Sequence, residues 1–442
     1  MSVPRTLYAR SGEVHLAYQV IGNGPRDVVL VLDWASHLEA LWEHALVPEF
    51  VAALNRFARV IWFDMRGVGL SDRVVDSAVS AEDWLEDVTA VMDAAGSERA
   101  TIVGHGHAVQ LALLFAATHP ERVDSLVLIN GFARLLRSDD YPVGMPPEAL
   151  DTVLKGIASN WGTGRLATVL APSVASQPGV QDWYARVERY AASPGTALSK
   201  MQAISELDVR NVLPSVAAPT LVVHNRDDAF IRVGHGRYLA EHIGGARLLE
   251  RDSADHWPIG DADLLGAIEE FVVGSRSEDT GVDRFLATVL FLDVAGSTER
   301  MEEIGDRSWD ALLERFEATV ERMLRTHRGE LVNTAGDGML ATFDGPARGI
   351  RCAWTIRDAL RQNGLEVRSG LHTGELTRRN EGVTGIAVHI GARVSALAEP
   401  GEVLVTRTVR DLVAGSGIAF ESRGEHALKG VADRWTLYAA TG

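Results

Sequence analysis

Residues 286–298, LATVLFLDVAGST, and 333–343, NTAGDGMLATF, decide how the last third of this chain folds. The first stretch is almost wholly apolar through residues 286–292, as a buried strand is. The run stops at Asp293, and Gly296, Ser297 and Thr298 follow. That order reads as strand, small-residue turn and helix start, with Ser and Thr as cap candidates. Around the second stretch, residues 331–334 and 339–343 read as two strands joined by a tight turn. One carboxylate, Asp293, therefore ends a core strand, and another, Asp337, sits on a hairpin tip. Turn geometry alone favours Asp and Gly at such a tip. Neighbouring strands would let both carboxylates hold divalent metal above a cradle of backbone N–H groups.

The bulk numbers set bounds. A chain of 442 residues predicts two or three domains, and 46% apolar with 23% charged residues is ordinary for globular protein. Cys352 is the single cysteine, so no intrachain disulfide can form, which fits a reduced, cytoplasmic setting. No run approaches the ~18 apolar residues of a membrane helix, and the N-terminus carries no signal-peptide pattern. A net charge of −17 without a basic block argues against nucleic acid or anionic membrane as partner. A nucleotide partner stays allowed, because bound metal offsets phosphate charge. Residues 262–273 read as a helix with Leu264, Leu265, Ile268, Phe271 and Val272 on one face. The polar stretch 274–283, GSRSEDTGVD, reads as a short linker between domains at 1–273 and 284–442.

In the first domain, residues 28–32, 60–63, 101–103, 125–129 and 220–224 are strand-like, with amphipathic segments between them. Alternation of this kind predicts a mostly parallel α/β sheet covered on both faces. Residues from about 134 to 212 break the alternation and read helical, with Trp161, Trp183 and Tyr184. They are expected to cap the C-terminal edge of the sheet, where open α/β sheets place ligands.

Four segments carry a resemblance: DMRGVGLSD at 64–72, VGHGHAV at 103–109, NRDDAF at 225–230 and ADHWP at 254–258. In these the domain resembles α/β-hydrolases over about 270 residues, which implies that fold with a helical cap. Asp228 and His256 match the family's acid and base. The nucleophile elbow of the family reads Gly-x-Ser-x-Gly. Here it reads Gly104-His105-Gly106-His107-Ala108, with Gly106 in the serine's place. Without an Oγ no acyl-enzyme forms. Asp33-Trp34 replaces the His-Gly that usually precedes the oxyanion loop, so Trp34 joins Gly106, Asp228 and His256 in a degenerate hydrolase site. Three readings follow: a domain that kept its pocket for a small amphipathic ligand, a purely structural domain, or non-covalent hydrolysis with His256 as general base. His105 and His107, two apart on a turn with no third ligand, read as packing or pocket residues rather than a metal site.

Read on its residues alone, 284–438 alternates strands and helices in an α+β pattern. A helix at 308–327 carries Trp309, Leu312, Leu313, Phe316, Val320, Met323 and Leu324 on one face, with Ser308 as N-cap and Gly329 as stop. The segments LFLDVAGST, NTAGDGMLATF, GLHTGEL (370–376), GIAVHIGARV (385–394), PGEVLVT (400–406) and GEHALKGV (424–431) match class III nucleotidyl cyclases in order and spacing. The region resembles that catalytic domain along its length, fused as in two-domain actinobacterial cyclases. A ferredoxin-like core is implied, and so is a reaction: the 3′-OH of ATP attacks its own α-phosphorus and pyrophosphate leaves, giving cyclic AMP.

The resemblance implies roles. Asp293 and Asp337 hold two Mg²⁺ or Mn²⁺ ions per site. The turn at Gly296, Ser297 and Thr298 offers donors to phosphate. Arg393 matches the arginine that stabilises the transition state. His389, four residues earlier on the same helical face, stands where Asn commonly orients the ribose. Lys429 matches a lysine associated with the triphosphate, or is a solvated turn lysine. The adenine-reading Lys and Asp of the family are replaced by Asn333 and by Gly382, or Glu381 if the loop shifts by one. ATP is then favoured by family frequency and GTP stays open. Metals and arginine come from different chains in this family, which implies a homodimer. A hydrolase-fold binding protein with a degenerate cyclase module is the alternative of another class.

Overall fold

The computed structural model of the chain describes residues 3–32, 35–73, 80–257, 262–274, 284–362, 364–379, 382–432 and 434–442. They form two compact units, residues 3–73 with 83–274 and residues 284–442 with 80–82. Apart from Gly274, the expected linker lies outside the described residues.

The first unit is an eight-stranded sheet ordered β1-β2-β4-β3-β5-β6-β7-β8. Its strands are β1 Leu7–Ser11, β2 Val14–Ile21, β3 Asp27–Val31, β4 Arg59–Phe63, β5 Ala100–His105, β6 Val123–Ile129, β7 Thr220–Asn225 and β8 Arg247–Arg251. From β4 through β8 all neighbours pair in parallel, while β1 and β2 add antiparallel pairs at one edge. The central strands β5 and β7 are buried at every position. Each carries a short apolar core, Ile102–Val103 in β5 and Leu221–Val223 in β7, as strands covered on both faces do. β1, β2 and β8 escape the apolar-run criterion, β8 because it is a polar edge strand, RLLER. Between β6 and β7 lie the helices Pro147–Asn160, Ala167–Leu170, Val180–Ala191 and Pro194–Glu206, in the expected cap region. The helix Ala262–Gly274 buries Leu264, Leu265, Ile268, Phe271 and Val272 as its periodicity predicts.

The second unit is a sheet ordered β10-β11-β9-β12-β14-β16-β15, with β13 paired to β12. Its strands are β9 Arg284–Val294, β10 Glu330–Ala335, β11 Gly338–Phe343, β12 Val367–Arg379, β13 Gly382–Thr384, β14 Val403–Thr406, β15 Ala419–Ala427 and β16 Arg434–Thr441. Alternation along β9 separates two faces. Leu290, Leu292 and Val294 pack with Phe316 and Val320 of the helix Asp306–Thr326 and with Ile350 and Ile356 of the helix Pro346–Arg361. Ala287 and Val289 point the other way, towards Ala387 of the helix Ile386–Leu397.

Two expected caps are corrected. Ser308 lies inside its helix, which starts at Asp306 with Gly305 as N-cap at φ 78°. A short helix, Ser297–Ile304, ends at that same glycine, so the chain needs a left-handed residue to redirect, and Gly adopts one at little cost. The N-cap of the short helix is Gly296 at φ 66°, which puts Ser297 in the first turn. Among the described residues, no helix is long and apolar enough to cross a membrane.

Candidate functional sites in the two units

The end of β9 builds the first candidate site. Asp293 pairs across to Gly338 of β11, and Val294 N donates to Asp337 O at 3.1 Å. The strand end and the hairpin tip predicted from sequence are therefore neighbours. On the other side Asp293 faces Arg368 of β12, whose Nη2 lies 3.8 Å from Asp293 Oδ2. Burial holds the Asp293 carboxyl above its ordinary range; Arg368 opposes this, and the charge of Asp337 adds to it. Arg368 was not legible in advance, because its role depends on strand register.

His389 and Arg393 project from the helix Ile386–Leu397, and both are exposed. Arg393 Nε donates to Lys429 O at 3.2 Å, so these two predicted residues come together. Ile386, His389, Arg393 and Leu397 follow one another at intervals of three and four, which puts them on one helical face. The flanking apolar pair is solvent-facing, Ile386 at 59% and Leu397 at 44% exposure. Among the described residues, no hydrogen bond or ion pair joins His389 or Arg393 to Asp293 or Asp337.

Gly382 sits at φ 137°, and a Cβ there would lie 3.3 Å from Val332 Cγ1. That places Gly382 beside the strand that carries Asn333, so the two positions expected to read the base share one corner. Glu381 lies outside the described residues, as does Trp34, and the Thr298 side chain is likewise not described.

The second site lies in the first unit. Gly106 occupies the elbow between β5 and the helix Ala108–Thr118 at φ 61°, and its N–H donates to Ile129 O at 3.0 Å. His256 Nδ1 is 2.8 Å from Asp228 Oδ2, and both side chains are fully buried. Burial works to raise the Asp228 carboxyl, but His256 and the N–H groups of Ile231 and Phe230 outweigh it and hold it below its usual range. Asn130, at φ 46°, donates to His256 O at 2.7 Å and accepts from Asn225 N at 2.9 Å. This clamp was not legible beforehand, since an Asn in left-handed conformation is seen only in the backbone.

Beneath the cap is a cavity of 480 Å³. Aromatic residues Trp161, Trp183, Tyr184, Phe230 and Trp257 line it, and so does His105. The His105 ring stacks at a tilt on His256 with centroids 4.6 Å apart, and its Nε2 is 2.8 Å from His256 O. His105 faces the cavity, whereas His256 is not among the residues lining it. His107 instead packs edge-on to Trp84 at 6.4 Å.

Residues 39–263 match the family model of the alpha/beta hydrolase fold. The putative carbamate hydrolase RutD of Caulobacter sp. (strain K31) is 30% identical, with 54% of this chain and 88% of that protein covered. The chain belongs to the α/β-hydrolase fold family. The crystal structure of the enol-lactonase from Burkholderia xenovorans LB400 matches this α/β-hydrolase unit with TM-score 0.50 at 25% identity, covering 61% of this chain and 98% of that one. Residues 285–441 match the adenylate and guanylate cyclase catalytic domain model. A putative adenylate cyclase 3 of Rhizobium meliloti (strain 1021) is 26% identical over 159 residues, 34% of this chain and 27% of that protein. This α/β-hydrolase family member thus carries a nucleotidyl cyclase catalytic domain as its second unit.

Proposed function

We propose that the chain is a cytoplasmic adenylate cyclase that works as a homodimer. The supporting observation is the exposed stripe Ile386, His389, Arg393 and Leu397, which meets neither carboxylate of its own chain. Packed against a second copy, the apolar ends of the stripe would be covered. The same move brings His389 and Arg393 over the partner's strand end, and two-fold symmetry makes two such sites.

The donor set at Asp293 and Asp337 fits divalent Mg²⁺ or Mn²⁺. A strand end and a hairpin tip bring the two carboxylates together, and burial raises Asp293, with Arg368 opposing this and the charge of Asp337 adding to it. One or two carboxylates plus substrate phosphate is the usual Mg²⁺ arrangement. Bound there, two cations would lower the pKa of the nucleotide 3′-OH and neutralise the triphosphate. Asp293 and Asp337 orient that end of the substrate. Arg393 forks onto the α-phosphate oxygens as the new O3′–P bond forms and the bond to pyrophosphate breaks. Backbone donors at Gly296 and Ser297 meet the phosphates, Lys429 the leaving group, and His389 the ribose. ATP is the substrate in this reading. Asn333 beside Gly382, in place of a Lys–Asp pair, also favours some acceptance of GTP, because an amide can donate to or accept from either purine.

The first unit, in this reading, binds a ligand and does not hydrolyse it. Gly106 supplies no nucleophile, and His256 is sealed behind His105. The deciding assay incubates the full chain with Mg²⁺ or Mn²⁺ and ATP or GTP and measures cyclic product. Absence of cyclic nucleotide under all four conditions would sink the proposal. Mixing inactive D293A with inactive R393A should restore activity, since a heterodimer holds one intact site. No rescue from heterodimers shown to form would place each site within one chain.

A further inference from the structure

We infer that the cavity of the first unit is a binding site for a small monocarboxylate with an apolar body. The inference rests on the reading of that unit as binding rather than hydrolysing. At 480 Å³ the cavity is within the range of small-molecule sites. Its walls are aromatic and aliphatic, and among the described residues lining it Arg165 is the one that carries a charge. Arg165 is exposed at the mouth, and among the described residues its guanidinium makes no ion pair. A cationic ligand would meet that guanidinium with no acid among the described lining residues to offset it. A carboxylate meets a forked donor suited to it. The apolar body then runs inward past Trp161 and Trp257, towards the His105 ring on the floor.

Gly156 is an independent sign that the space is meant to stay open. It sits in the middle of the cap helix Pro147–Asn160, where glycine weakens a helix. No neighbouring atom lies within 4 Å of where its Cβ would be, so crowding by protein does not explain it. The residue lines the cavity, and any side chain there would project into the space a ligand uses.

The test is calorimetric titration of the full chain with octanoate, 1-octanol and octylammonium, which share one chain length and differ in head group. Octanoate should bind about tenfold tighter than octanol, as a hydrogen-bonded charge pair gives, with octylammonium weakest. R165Q should cut octanoate affinity to about that of octanol, and G156F should weaken octanoate at least about tenfold with the thermal midpoint kept. No binding of any probe, octylammonium as tight as octanoate, or octanoate affinity unmoved in both variants each overturns the inference. Methyl octanoate separates this from the reading beneath it. Its hydrolysis by the wild-type chain would refute the binding-only unit itself, whatever the titrations give.

Discussion

Gly370 is the position where one methyl group should uncouple the catalytic helix from the sheet. It lies on β12, and a Cβ built there falls 2.1 Å from Ser395 N and 2.5 Å from Ser395 Cα, within the backbone of the helix Ile386–Leu397. Ordinary contact begins near 3.5 Å, so in G370A the helix must retreat by about 1.4 Å. Backbone cannot swing aside as a flexible side chain can, and overpacking of this kind costs about 1–3 kcal/mol. The larger effect is on geometry, because this helix presents His389 and Arg393. A misplacement of about 1 Å can cost on the order of 10²-fold in rate. G370A should therefore lower the urea midpoint modestly and kcat by about 10²-fold with Mn²⁺ and ATP saturating. The control is G266A, at a helical glycine with open space around its Cβ, which should leave both unchanged or slightly raise stability. G370A with wild-type kcat and an unshifted midpoint would refute the close-packing argument.

Replacing Asp293 by Asn should abolish cyclic product yet leave thermal stability equal or slightly higher, because burial and Asp337 already disfavour its charge; a D293N chain that turns over normally would remove Asp293 from the site. Acid should destabilise the second unit through His372, which burial beside Thr406 pushes down to about 3. Below its unfolded pKa of about 6.5 the unfolded chain takes a proton that the folded one refuses, so stability falls by about 1.4 kcal/mol per pH unit from this residue. His235, lowered to about 4 by burial next to Tyr141, adds the same slope in the first unit. Urea midpoints at pH 7 and pH 5 in H372N and in wild type check the sign, and an identical pH slope in both would exclude His372. G156A should raise stability by about 0.5–1 kcal/mol, read from thermal melts, since alanine replaces an interior helical glycine with nothing to strike.

What the sequence revealed depended on how local each signal was. The two acidic turns at Asp293 and Asp337 were legible because each is a strand end written in consecutive residues. Their adjacency needed only the antiparallel register of β9 and β11. Arg368 was illegible because nothing in its neighbours announces that it will face Asp293 across a strand pair. The elbow, acid and histidine loops of the first unit could each be read in place. That His105 rather than His256 would wall the cavity could not, as it follows from ring packing 151 residues apart in sequence. β1 and β2 were missed because antiparallel edge strands mix polar and apolar positions. Caps were misplaced where Ser was preferred to Gly, although both turns need a positive φ that Ser adopts poorly.

The histidine loop has a mechanical side. His256 N and Trp257 N both donate to Leu170 O, at 2.8 and 3.0 Å, so the loop is stitched to the short cap helix Ala167–Leu170. From beneath, Asn130 and Asp228 hold the same loop to the ends of β6 and β7. The Asp228–His256 pair is thus a rivet that fixes the roof of the cavity to the sheet. The cap is fastened at other points too, by Trp183 Nε1 donating to Ala40 O at 2.8 Å and Arg73 Nη1 donating to Ala191 O at 2.6 Å. Within the cap, Glu188 ties down the loop 162–164 by accepting from Gly162 N and Gly164 N. Wear in such a joint would show as a looser roof long before the sheet itself lost strength.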